Sequence, residues 1–445
     1  MSYLSRLSRR KFLFTAGATT ATALVMHGCS SSNTTAEAPA SPAAGGASPA
    51  AVASGDAPEV TTAKLGFIAL TDAAPLIVAK EKGFFAKHGM PDVEVAKQTS
   101  WATTRDNLEL GAAGGGIDGA HILSPMPYLL AAGKTKSNQP LPMYILARLN
   151  TNGQGISLAN DFKSLNITTD ATALKGEIDK RKAGNQKFKA AVTFPGGTHD
   201  LWMRYWLAGN GINPMTDVDI VVIPPPQMVA NMETKTMDAF CVGEPWNGRL
   251  VSKGSGFNAL TTGELWKDHP EKAFAMRADW VDQHPKAAQA LTQAVLEAQI
   301  WADDPANKQE LCEILSQDKY VKAPVADILE RIKGNFDFGN GRKLENSPLM
   351  MKFWADSASY PFKSHDLWFL TEEIRWGNLP VNFDTKGLVD KVNREDIWRA
   401  AAKAIGQEAA IPASTSRGVE TFFDGVTFDP EKPEEYLKSL KIKKA

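Results

Sequence analysis

Between residues 60 and 301, short apolar runs alternate with longer amphipathic ones, and that alternation confines the chain to an α/β architecture. Residues 64–70 have the pattern of a buried strand, broken by Thr71-Asp72-Ala73-Ala74-Pro75. Residues 76–82 read as a helix ending at Gly83. A strand is predicted over 92–97, a helix over 102–110, and further strands over 117–123 and 143–148. Strands joined by helices imply a parallel sheet, whose ligand loops gather at the carboxyl ends of its strands.

The order restarts at Phe188. Strands over 189–194, 219–223 and 239–242 alternate with helices over 198–209 and 227–235, a compact unit that reads as a separate lobe. A strand over 272–279 returns to the first lobe and a long helix follows over 285–301. The rest is helical, with loops rich in Trp, Phe and Pro. The division expected is lobe I over 59–157 and 255–445, including a C-terminal extension, and lobe II over 158–254. Two lobes joined by crossing segments form a clamp that holds its ligand in the cleft and closes by hinge motion.

The amino terminus sets the compartment. Ser8-Arg9-Arg10-Lys11-Phe12-Leu13 precedes a mildly apolar run ending in Met26-His27-Gly28-Cys29. Paired arginines before such a run read as a twin-arginine export signal over 1–28, and Gly28-Cys29 resembles a bacterial lipoprotein cleavage site. Lipid on Cys29 would tether the mature chain to the outer face of the cytoplasmic membrane. The alternative is a plain signal peptide cut elsewhere. The run is too short and too rich in Ala, Thr and Gly to span ~30 Å of hydrocarbon. Residues 29–58 are mostly Ser, Thr, Ala, Pro and Gly, a composition that cannot offset its conformational entropy by burial, and are expected to form a disordered tether.

Charge excludes one class of partner. Removing Arg6, Arg9, Arg10 and Lys11, which have no acid among them, takes the formal charge from −1 to −5. A mildly acidic chain without basic runs is a poor nucleic-acid binder. Any anion must be caught by local donors instead of a global field. Cys241 and Cys312 could pair, though each reads more simply as a small buried apolar residue. No CxxC, HExxH, calcium-loop spacing or Gly-x-Ser-x-Gly elbow occurs, so neither a metal site, a cofactor nor a nucleophile is predicted.

Several strings carry a family resemblance. They are Lys64-Leu65-Gly66-Phe67-Ile68, Asp72-Ala73-Ala74-Pro75-Leu76, Glu81-Lys82-Gly83-Phe84-Phe85, Arg105-Asp106-Asn107 and Gly114-Gly115-Gly116-Ile117-Asp118-Gly119. The stretches 360–372 and 416–425 belong with them. Together they resemble the substrate-binding lipoproteins of cyanobacterial nitrate and bicarbonate ABC transporters. The resemblance implies an α/β, two-lobe periplasmic binding protein type II fold. It also implies capture of nitrate, and of nitrite by like chemistry, for delivery to an ABC permease with its ATPase subunits. No enzymatic step and no cofactor is implied.

Carried over residue by residue, the nitrate-type pocket would use Trp101, Gln154, His199, the backbone at Gly243, and Lys272. Trp101 would offer its indole N–H or an apolar wall. Gln154 sits among Asn152-Gly153-Gln154-Gly155, which taken alone reads as a turn. His199 falls at the start of a predicted helix, where free N–H groups favour anions, with Thr198 as the expected N-cap. Trp202, Tyr205 and Trp206 have helical spacing and read as core. Lys272, just before the returning strand, would be the cation, and Glu244 is placed either to support Lys272 or His199 or to serve structure alone. The bicarbonate members resemble this region but carry an acidic residue where Lys272 stands and lack the counterpart of His199.

Chemistry separates the two anions. Nitrate has three acceptor oxygens and no proton, whereas bicarbonate also carries a hydroxyl that needs an acceptor. Hydrogen bonds to a charged ligand contribute about 1.5–3 kcal/mol each, so several suffice for a micromolar constant near roughly −8 kcal/mol. The competing expectations are a bicarbonate-binding paralogue, an enzyme of the pyrimidine-synthase branch of the fold, and a ligand sensor. The export signal and scattered cysteines argue against the enzyme.

Overall fold

The computed structural model describes residues 57–444. The predicted signal, Cys29 and nearly all of the tether lie outside the described residues. Two five-stranded sheets organise the rest. In the first, β1 (Lys64–Phe67), β2 (Glu94–Lys97), β3 (Gly119–Leu123), β4 (Met143–Thr151) and β10 (Pro270–Arg277) run in the order β2-β1-β3-β10-β4. In the second, β5 (Gln154–Leu158), β6 (Phe188–Val192), β7 (Val218–Val222), β8 (Ala239–Gly243) and β9 (Phe257–Thr261) run in the order β7-β6-β8-β5-β9.

The sheets repeat one plan. Three parallel strands lie together, then comes an antiparallel strand that has arrived from the other sheet. That visiting strand is β10 in the first sheet and β5 in the second. The second sheet thus draws its strands from 154 to 261, a wider span than the expected 158–254.

The chain crosses between sheets at two places that touch. One is Asn152-Gly153, where both residues have positive φ, at 56° and 87°. At Gly153 a Cβ would lie 2.3 Å from Cε of Met351, so both conformation and space require glycine. The other crossing runs from Thr262 to His269. Asn152 N–H donates to the His269 carbonyl at 3.0 Å, and the Asn152 amide donates to Asp268 at 3.0 Å. These bonds tie the two crossings into one hinge region.

Among the described residues, three apolar clusters form the core. One packs helices α1 (Ala74–Glu81) and α6 (Pro285–Asp303) on the first sheet. A second, rich in indoles, surrounds Trp202, Trp206 and Trp266. The third joins Leu70, in the loop after β1, and Ile122 of β3 to Phe240 and Val242 of the second sheet. The C-terminal extension serves both lobes: Tyr360 and Trp398 enter the first cluster, and Trp368 and Phe369 the second.

Candidate functional site

The strand ends bring chemistry-bearing residues together between the sheets. Asp72 lies in a single 3-10 turn, Thr71–Ala73, directly after β1. Trp101 opens helix α2 (Trp101–Leu110), whose N-cap Ser100 accepts from Thr103 N–H at 3.1 Å. Such a cap contributes about 1 kcal/mol and fixes where the indole begins. His121 is central in β3. Gln154 opens β5 and pairs in register with Gly243, the last residue of β8. His199 is the second residue of helix α4 (Thr198–Gly209), and Lys272 lies within β10.

All five expected residues meet in one buried cluster. The Lys272 ammonium is 2.8 Å from Oδ2 of Asp72 and 2.7 Å from Oε1 of Glu271. It sits 5.9 Å from the centre of the Trp101 ring. Gln154 donates its amide to Oδ2 of Asp72 at 3.0 Å and accepts at Oε1 from Nε2 of His199. The other nitrogen of His199, Nδ1, is 2.5 Å from the Thr193 hydroxyl. Gly243 leaves the room for this: a Cβ there would lie 2.9 Å from Oε1 of Gln154 and 3.2 Å from Oδ2 of Asp72.

Electrostatics follow from burial. Burial raises the Asp72 carboxyl, but Lys272 and His121 outweigh it and hold the group well below the ordinary range. Burial depresses Lys272, and the Asp72 and Glu271 carboxylates more than reverse this. Glu271 is raised because burial exceeds the help from Lys272, Thr198 and Trp202. His199 is pushed well below its usual value, first by burial and then by Lys272, so its imidazole is neutral.

The carboxylates of the cluster are occupied, and its open groups are one N–H and two hydroxyls. Asp72 takes His121 at 2.6 Å on one oxygen and Gln154 and Lys272 on the other. Glu271 takes Thr198 and Lys272 on Oε1 and the Trp202 indole on Oε2 at 2.9 Å. Against this, the buried Trp101 indole N–H and the hydroxyls of Thr71 and Ser124 have no protein partner. An unpaired buried donor costs about 1–3 kcal/mol, so such groups point to a ligand with acceptor atoms. Among the described residues, no group of three or more His, Cys, Asp or Glu side chains is arranged to hold a metal ion.

Several local expectations are corrected. Gln154 is a strand residue, not part of a turn, and Lys272 is inside the returning strand. The N-cap of α4 is Gly197, and the Thr198 hydroxyl instead donates to Glu271. Glu244 turns away from Lys272 and His199: it faces Arg331 at 3.4 Å and accepts from Gly248 N–H. Trp202 is core, yet its indole N–H also serves Glu271. Cys241 and Cys312 are both buried free thiols. Sequence reasoning missed Asp72, His121, Glu271 and Thr193. A polar residue at the end of a buried strand, and a lone histidine within an apolar strand, were the available signals.

A family model described as NMT1-like matches residues 56–316. The chain belongs to the NMT1-like family. Within that family, this chain is 64% identical over 441 residues to the nitrate/nitrite binding protein NrtA of Synechococcus elongatus, covering 99% of each. It is 44% identical over 459 residues to the bicarbonate-binding protein CmpA of the same organism, covering 100% of each. The crystal structure of the periplasmic nitrate-binding protein NrtA from Synechocystis superimposes with a TM-score of 0.85 at 63% identity, covering 87% of this chain and 100% of that one. This NMT1-like chain therefore has the two-lobe fold of periplasmic binding proteins. No helix among its described residues is long and apolar enough to cross a membrane.

Proposed function

We propose that this chain is the solute-binding component of an ABC importer that captures nitrate, and also nitrite, between its lobes and passes it unchanged to the permease. Trp101, Gln154, His199, the Gly243 backbone and Lys272 hold the anion. The chain works on the periplasmic face of the cytoplasmic membrane, tethered through lipid on Cys29. The lobes divide at the paired crossings near Asn152 and Thr262.

One observation carries the reading. The buried Trp101 N–H lacks a partner beside a lysine whose carboxylate neighbours already have theirs. Nitrate needs donors only and matches this inventory. Bicarbonate needs an acceptor for its hydroxyl, and both oxygens of Asp72 and of Glu271 are engaged by protein donors, which leaves it only the Thr71 and Ser124 hydroxyls. Names of relatives point the same way, with the nitrate/nitrite binding protein at 64% identity against 44% for the bicarbonate-binding one.

Calorimetric titration with nitrate, and separately with bicarbonate with and without calcium, tests the proposal. Heat with nitrate and none with bicarbonate is the expected result. Heat with bicarbonate alone would assign the chain to bicarbonate capture. Silence from both in folded protein would turn the search to other small anions or to a sensor.

A further inference from the structure

The hydrogen bonds around Asp72 have only one consistent direction. Ile68 N–H donates to Nδ1 of His121 at 3.4 Å, so the ring proton is on Nε2 and is given to Oδ1 of Asp72. The other Asp72 oxygen accepts from the Lys272 ammonium and from Gln154. A carboxylate with a full set of donors can only accept. The Gln154 amide nitrogen must therefore face Asp72, and its carbonyl oxygen must face His199. That oxygen needs a donor, which puts the proton of the neutral His199 on Nε2. Nδ1 is left to accept from the Thr193 hydroxyl. The relay starts on the first sheet and ends on the second.

We propose that Asp72 is a positioning residue that fixes the proton of His199 on Nε2 through Gln154, and so keeps an N–H, not a lone pair, on the ring edge offered to a proton-free anion when it displaces the Gln154 oxygen. The specificity half rests on the nitrate reading above. Asparagine at 72 can donate, which lets the Gln154 amide reverse. A reversed amide presents N–H to His199, makes Nε2 an acceptor and moves the proton to Nδ1. The Nε2 edge then carries a lone pair, which repels the oxygens of a proton-free anion.

The test is nitrogen NMR of the full-length chain with labelled histidine rings, recorded without ligand, alongside calorimetry with nitrate. The wild type should show His199 as the Nε2–H tautomer. Asp72→Asn should shift His199 toward Nδ1–H and weaken nitrate at least about tenfold. Asp72→Glu, which keeps an acceptor, should restore the Nε2–H tautomer. Gln154→Met interrupts the relay without touching Asp72 and should also release the tautomer, which keeps the test open if Asp72→Asn does not fold. An Nδ1–H tautomer in the wild type overturns the proposal. So does a folded Asp72→Asn or Gln154→Met variant that keeps a single Nε2–H tautomer. Wild-type protein silent to nitrate removes the specificity half together with the proposed function, while the ligand-free tautomer still decides the relay.

Discussion

The ammonium of Lys272 lies 2.8 Å from the Asp72 carboxylate, with both side chains fully buried. One residue comes from the turn after the first strand and the other from the last strand of the same sheet, which the chain reaches only after building the second lobe. A buried ion pair is weak evidence for stability, because desolvation of both charges opposes their attraction. Its value here is a fixed cation in a buried site, where a charge attracts an anion more strongly than it would in water.

Lys272→Ala therefore has two expected effects. Nitrate binding is abolished, because the cation is gone and Asp72 and Glu271 repel the anion. The fold is weakened by about 3–5 kcal/mol, because two buried carboxylates lose their shared partner. Calorimetry reads the first effect and urea unfolding the second. Nitrate heat retained by the folded variant would remove Lys272 from the site.

Gly243→Ala tests space. The φ of Gly243 lies outside the left-handed region, so alanine meets no backbone strain there. Its Cβ would instead lie 2.9 Å from Oε1 of Gln154 and 3.1 Å from Cδ2 of Leu70. The Gln154 amide has to move away from His199. Nitrate affinity should fall about tenfold, with an overpacking cost of about 1–3 kcal/mol. Unchanged titration curves would show that the amide tolerates displacement.

The buried histidines should each make the protein less stable in acid. Burial lowers His269 to about 3 and holds His199 well below its usual value. In the unfolded chain both take up protons below about pH 6.5. Stability rises with pH wherever the unfolded state binds more protons, so it is full above about pH 6.5 and falls toward pH 3. Each histidine contributes a slope of about 1.4 kcal/mol per pH unit in that window. The contribution of Asp72, whose carboxyl is lowered, is lost only below about pH 3.9, whereas the raised carboxyls of Glu271 and Glu373 act in the opposite sense, so the difference between wild type and variant isolates the histidine. Urea midpoints across pH 7 to 4 check the slope, and His269→Gln should reduce it by one proton.

The sequence displayed the first lobe well and the site poorly. Strands β1, β3 and β6 announce themselves as apolar runs. The pair β5 and β9 does not, because β5 opens with Gln154-Gly155 and hides Ser157 in the core against Asn247. Asp72 looks like a turn former beside Pro75. Its role comes from His121 and Gln154, which are 49 and 82 residues away, and no local pattern encodes such distances. Lys272 is similar: alone it reads as a surface charge, and only the resemblance singled it out. For Glu244 the sequence allows either a place beside Lys272 or His199 or a structural role alone, and it takes the structural role. The chain turns at Pro245 and delivers the carboxylate to Arg331.

Trp101→Phe isolates the observation on which the function rests. Phenylalanine keeps an aromatic ring in the third apolar cluster and against the face of His121, whose ring centre is 5.4 Å away. It removes the indole N–H, which has no protein partner to lose, together with the volume of one ring at a fully buried position. Deleting an unpaired buried donor costs no hydrogen bond, while the vacated ring volume should lower the melting temperature modestly. If that N–H binds nitrate, the loss of one hydrogen bond to a charged ligand costs about 1.5–3 kcal/mol, or roughly a 10- to 150-fold weaker constant. A lower melting temperature with unchanged affinity would mean that the indole serves packing, and the donor inventory would then rest on Lys272 and His199 alone.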